Sequence, residues 1–142
     1  MSAFLVPHLL EQSADRTPDR IALIDPKARL SYADLHREGT RVATALADLG
    51  VGPGDLVGLL VEKSARAVAA AYGIMMRGAA YVPIDPSMPR ARAELILAGT
   101  GARIVVTTSD KLTLLAEAKA AAPMLDRALV LGDKGATDGA LP

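Results

Sequence analysis

The residues of this chain that could do chemistry fall in a few short runs, and each run also has a structural use. Gly50-Val51-Gly52-Pro53-Gly54-Asp55 has the glycines that let backbone N–H groups approach a phosphate. A phosphate loop, however, follows a strand and opens a helix, so that free N–H groups and the helix dipole face the anion. This run follows a helical pattern and opens a strand, so it reads as a turn, and Gly99-Thr100-Gly101 reads the same way. His8 and His36 lie in separate helical segments, with no second histidine or carboxylate at metal-ligand spacing; they read as solvated or capping residues. Ser64, after Lys63, is a nucleophile only if a base is at hand. Standing before an apolar helix, it is first an N-cap. Met75 and Met76, beside Tyr72 and Ile74, read as core filling. With no cysteine there is no thiolate, no disulfide and no cysteine zinc site.

Two further runs are less ordinary. In LSYADL, Leu30–Leu35, Ser31 can cap a helix whose first turn is favoured by Asp34. In RGAAYVPIDP, Arg77–Pro86, Pro83 belongs at a strand end or edge, and each proline pushes the residue before it toward extended geometry. Asp85 is thereby placed in a stiff loop beyond the carboxyl end of a strand, where α/β ligand sites often lie. One carboxylate without a partner makes no chemistry, so the loop reads as a rigid support.

The elements that would position these runs follow from periodicity. A helix begins at Pro7 and ends at the turn Arg16–Asp19. Strands Ile21–Ile24 and Arg29–Ser31 flank the turn DPKA. Between Tyr32 and Leu49, Leu35, Val42, Leu46 and Leu49 share one helical face opposite Asp34, Arg41 and Asp48, which predicts an amphipathic helix with Gly50 at its C-cap. Leu56–Val61 is a continuous apolar strand. The rest alternates helix Ser64–Arg77, strand Ala80–Pro83, helix Arg90–Ala98, strand Arg103–Thr107, helix Asp110–Ala121 and strand Ala128–Leu131. Pro89 suits the first helical position and Pro123 stops the last helix. Such alternation predicts an α/β fold, Rossmann-like, with a mostly parallel sheet flanked by helices. Residues 1–132 form this α/β part, and residues 133–142 read as loop or linker.

A chain of 142 residues with 16 Lys plus Arg against 16 Asp plus Glu is sized for one core. It has no charge excess to attract nucleic acid or an anionic membrane. No apolar run reaches the ~20 residues of a spanning helix, and the start has no basic leader or cleavage pattern. The expectation is a cytoplasmic protein with no nucleic acid and no membrane among its partners. Helix Ser64–Arg77 is apolar on almost every side, which predicts that both of its faces are covered. In so short a chain this points to a missing remainder and to possible self-association.

LSYADL and GIMMRGAAYVPIDP resemble the first two conserved blocks of adenylation domains, in the adenylate-forming (AMP-binding) ligase superfamily. TPDRIAL before them, LGVGPGDLVGLLVEKS between them and PSMPRARAELILAGTGARIVVT after them keep the family's order and spacing. The resemblance covers about Leu9 to Thr108 and is closest in look to amino acid or acyl ligases of nonribosomal peptide synthesis. Met76, Arg77 and Ala79 stand where lysine, alanine and, in peptide-synthetase modules, glycine are common. With VEKS and IDPSMP they lean toward free-standing ligases.

The resemblance implies a parent that uses ATP and Mg to convert a carboxylic acid to its adenylate and passes the acyl group to a thiol. That thiol belongs to a carrier protein's phosphopantetheine or to coenzyme A. The family's Ser/Thr/Gly-rich phosphate loop, its acid pocket and its C-terminal lysine have no counterpart up to Pro142. No catalytic, cofactor-binding or metal residue is therefore assigned to this chain, and residues 133–142 are expected to lead to the phosphate loop. Its partners would be the remainder of the adenylation domain and, for the parent, the carrier protein or coenzyme A. Two rivals stand beside this reading: an acyl- or aryl-coenzyme A ligase, and a non-catalytic α/β interaction module.

Overall fold

A computed structural model describes residues 5–132 and 135–141, with the backbone alone for 135–140. Helix α1 (Val6–Arg16) and the antiparallel strands β1 (Ile21–Ile24) and β2 (Arg29–Ser31) lead into helix α2 (Tyr32–Asp48). The start of α2 is closed by a reciprocal capping box: Asp34 N–H donates to Ser31 Oγ at 3.1 Å, and Ser31 N–H donates to Asp34 Oδ2 at 3.1 Å. Its end is a Schellman motif. Gly50 takes φ 80°, Val51 N–H reaches Leu46 O, and Gly50 N–H reaches Ala47 O. The cap itself is Leu49, with Gly50 one residue beyond.

Strand β3 (Leu56–Leu60), helix α3 (Ala65–Met76), strand β4 (Ala80–Pro83), helix α4 (Arg90–Thr100) and strand β5 (Ile104–Thr107) follow. A 3₁₀ turn (Ser109–Lys111) leads into helix α5 (Leu112–Ala118), which precedes strands β6 (Arg127–Gly132) and β7 (Gly135–Ala140). The sheet order is β4-β3-β5-β6-β7. The first four strands are parallel, and β7 is antiparallel to β6. The mostly parallel α/β sheet expected from the alternation is thus present.

Three details depart from the sequence reading. Helix α5 is shorter than Asp110–Ala121 at both ends. Asp110 sits in the 3₁₀ turn, and after Ala118 the chain closes in turns, with Ala121 and Ala122 N–H both on Ala118 O. Pro123 explains the latter, because it disfavours helical geometry at Ala122. Pro89 is the N-cap of α4, at ψ 136°, rather than its first residue. The tail read as loop or linker contains β7, a strand held by backbone pairing to β6 and built from small residues with little strand preference; positions 133, 134 and 142 lie outside the described residues.

The sheet is covered on both faces. Val57, Leu59, Ile104, Val106 and Leu129 pack under Val42, Leu46, Ala70 and Ile74 of α2 and α3. On the other face, Leu60, Val105 and Ala128 meet Ala93, Leu97, Leu115 and Ala118 of α4 and α5. Helices α2 and α3 cross closely at two glycines. A Cβ on Gly73 would lie 2.6 Å from Val42 Cβ and 2.7 Å from Gly39 O. This contact corrects the inference drawn from the apolar helix. Within α3 only Arg66 is exposed, because α1, α2 and the sheet of the same chain already cover its apolar girth. The helix therefore gives no argument for a missing partner or for self-association. No helix among the described residues is long and apolar enough to cross a membrane.

At the sheet's edge, Ala80 N–H donates to Asp55 O and Ile84 N–H to Leu59 O. With strand alternation, positions 80, 82 and 84 face β3, and positions 81 and 83 face outward. Pro83 sits where its missing N–H costs the sheet nothing.

Candidate functional site

In a doubly wound sheet, ligands bind beyond the carboxyl ends of the strands, at the point where the connections reverse direction. From β3 the chain passes through α3 to β4 on one side. It then crosses back through α4, on the opposite face, to β5 on the other side. The switch point is therefore the crevice between the carboxyl ends of β3 and β5.

Polar groups at this crevice are paired with one another. The buried Thr107 Oγ1 donates to Leu60 O at 2.9 Å, tying the two strands together. Lys111 Nζ lies 3.2 Å from Asp110 Oδ2 and 3.5 Å from Glu62 Oε1. Hydrogen bonding to Asp110 raises the Lys111 pKa above its ordinary value. Hydrogen bonds from Thr108 and then Lys111 lower that of Asp110. Lys111 and Asp110 thus hold each other, with Glu62 beside them.

The amino end of α3, where a phosphate would be expected, is also filled. Ser64 Oγ accepts from Ala67 N–H at 3.2 Å and donates to Glu62 O at 3.0 Å, so Ser64 is the N-cap and no base activates it. Ala65 N–H donates to Asp25 Oδ2 at 2.7 Å, across 40 positions of sequence. The other oxygen of Asp25 accepts from Lys27 and Ala28 N–H, each at 2.6 Å. These bonds, that from Ala65 first, hold the Asp25 carboxyl below the usual carboxylate range. Asp25 is the residue that sequence reasoning missed. DPKA signalled only a turn, and nothing local marks a contact 40 residues away.

Asp85 also closes on itself. Its Oδ1 accepts from Ser87 Oγ at 2.7 Å and from Ser87 N–H at 2.8 Å, which lowers its pKa, with Lys63 adding an attraction. Behind it Ile84 is buried, with its N–H on Leu59 O. This is the geometry of a stiff turn.

The glycine-rich loop lies at the opposite, amino end of the sheet. Asp55 Oδ2 accepts from Gly52 N–H at 2.8 Å, Gly54 N–H donates to Gly78 O, and Arg77 Nε donates to Val51 O at 3.1 Å. The loop is thus tied down by its own chain and by the end of α3. Gly101, with φ 63°, ends α4 in the left-handed conformation, and Gly99 falls inside the helix. His8 and His36, distant in sequence, line one open groove of about 520 Å³ with Glu11, Met75, Met76 and Arg77. Met76 also packs against the cluster of Leu10 and Leu35. No group of three or more His, Asp or Glu side chains among the described residues could hold a metal ion.

Fold and switch point together define a doubly wound α/β module of the kind that serves nucleotide-using enzymes. The family model of the AMP-binding enzyme matches residues 10–140, and the chain belongs to that family. Surfactin synthase subunit 1 of Bacillus subtilis (strain 168) is 37% identical over 135 residues, which are 95% of this chain and 4% of that protein. Tyrocidine synthase 3 of Brevibacillus parabrevis is 36% identical over 115 residues, 81% of this chain and 2% of its own length. The anthranilate CoA ligase AuaEII, solved with anthranoyl-AMP, superposes with a TM-score of 0.84 at 29% identity. That match covers 91% of this chain and 25% of the ligase. The nonribosomal peptide synthetase FmoA3, in its α-methyl-L-serine-AMP form, gives 0.73 at 42% identity, over 77% of this chain and 12% of the synthetase. The chain thus spans a small part of the relatives it matches.

Family membership implies ATP and Mg. The donors at the switch point do not fit them: the Ala65 and Ala67 N–H groups are taken by Asp25 and Ser64, and the carboxylates of Glu62 and Asp110 are paired with Lys111.

Proposed function

We propose that this chain is the N-terminal scaffold of an adenylation domain. Its parent would activate an amino acid or another carboxylic acid as the acyl-adenylate and transfer it to the phosphopantetheine thiol of a carrier protein. The observation that carries this reading is the family match over residues 10–140, joined to relatives that are peptide synthetases. On this reading the chain supplies the sheet and the stiff loop Pro83–Pro86 against which the rest of the domain builds its site. The groups that hold ATP, Mg and the acid come from elsewhere in the parent, in the cytoplasm.

A second reading, an aryl- or acyl-coenzyme A ligase, is favoured by the TM-score of 0.84 to the anthranilate CoA ligase. Acid-dependent exchange of pyrophosphate into ATP tests the shared chemistry. The parent is expected to exchange, and this chain alone to stay at the level of a no-protein control. Exchange catalysed by the chain alone would overturn the scaffold reading. A parent inactive with every acid would overturn the ligase. Thioester formed on coenzyme A and not on a carrier protein would select the second reading.

A further inference from the structure

The disagreement between the switch point and the family's nucleotide leads to a statement about Asp25. We propose that the Asp25 carboxylate is an internal anion that latches the β1–β2 hairpin onto the amino end of α3 and closes that helix end to phosphate groups.

The argument is one of donors and acceptors. A helix leaves its first N–H groups without intrahelical partners, and their dipoles favour an anion. Helix α3 follows β3 at the switch point, the position from which a doubly wound fold offers N–H groups to phosphate. Ala65 is 4% exposed, so its N–H needs a partner from the protein. That partner is a carboxylate from outside the β-α-β unit, brought in by the turn between β1 and β2. The carboxylate is itself held in place by the N–H groups of Lys27 and Ala28 on its other oxygen. One charged group thus satisfies three backbone donors and ties the small two-stranded sheet to helix α3. A phosphate oxygen at Ala65 would have to displace Oδ2 of Asp25 and stand beside its negative charge.

The test uses the chain itself with Asp25→Asn and Asp25→Ala, reading the Ala65 amide by NMR and hydrogen exchange. In Asp25→Asn one oxygen still accepts from Lys27 and Ala28, while the other side of the group becomes a donor. Exchange at Ala65 should then accelerate roughly tenfold or more, with Val105 in the sheet centre unchanged. Inorganic phosphate, added at constant ionic strength, should leave the Ala65 resonance of the wild-type chain in place. In Asp25→Ala it should shift that resonance saturably and slow its exchange. If Asp25→Ala does not fold, Asp25→Asn is titrated in its place. The proposal is overturned if Ala65 exchanges in Asp25→Asn as in wild type. It is equally overturned if wild-type Ala65 titrates with phosphate, or if phosphate leaves the substituted chain unmoved. None of these outcomes depends on the parent's activity, so they stand apart from the exchange assay.

Discussion

Where α2 crosses α3, Gly39 and Gly73 are wedged between backbones and side chains; in the loop at the amino end of β3, a Cβ on Gly50, Gly52 or Gly54 would meet nothing within 4 Å. The clustered glycines draw attention as a possible phosphate loop and stand in open space. The isolated ones sit in helix interiors, where glycine is disfavoured by ~1 kcal/mol against alanine, and they set how closely two helices approach. Glycine density is therefore a poor guide to where a side chain would clash; at Gly50 and Gly54 it is the positive φ that calls for glycine. Contact distance separates the two regions.

Substitutions sharpen that contrast. Gly73→Ala should have the largest effect, because its Cβ would lie 2.7 Å from a backbone carbonyl that cannot turn aside. Overpacking of ~3 kcal/mol, offset by ~1 kcal/mol of helix propensity, predicts a net loss of about 2 kcal/mol in denaturant unfolding. A neutral result would mean that the crossing can open freely. Gly50→Ala should cost about 1 kcal/mol, from the left-handed conformation alone. No change in the unfolding midpoint there would show that the Schellman end of α2 is not needed. Gly52→Ala should stay within about 0.5 kcal/mol, since its Cβ meets open space and its N–H can still donate to Asp55. A larger loss would give the loop a tertiary role that its geometry does not contain.

What the sequence made legible was local. Ser31 and Asp34, three residues apart, announced the cap of α2, and the alternation of apolar runs announced the parallel sheet. Pro83 announced an edge, and Asp85 a stiff turn that Ser87 completes. What it hid depends on which distant residues meet. No periodicity relates Asp25 to Ala65, Gly39 to Gly73, or His8 to His36 in their common groove. Strand β7 escaped for another reason: its small residues carry no apolar alternation, and its pairing to β6 is made by the backbone. At the switch point the side chains were visible one by one. Their pairing with one another was not.

Pro83 carries one more consequence. A polypeptide made from its amino end exposes β4 before the strands that follow can join, at a time when neighbouring nascent chains stand nearby. An open strand edge is then a template for pairing between molecules. Here the outward side of β4 offers the N–H of Tyr81 but none at position 83, because proline has none. A foreign strand laid along it would find its ladder interrupted at the second rung. The same residue that stiffens the turn thus guards the growing sheet and leaves its extension to the other side, where β5 joins β3.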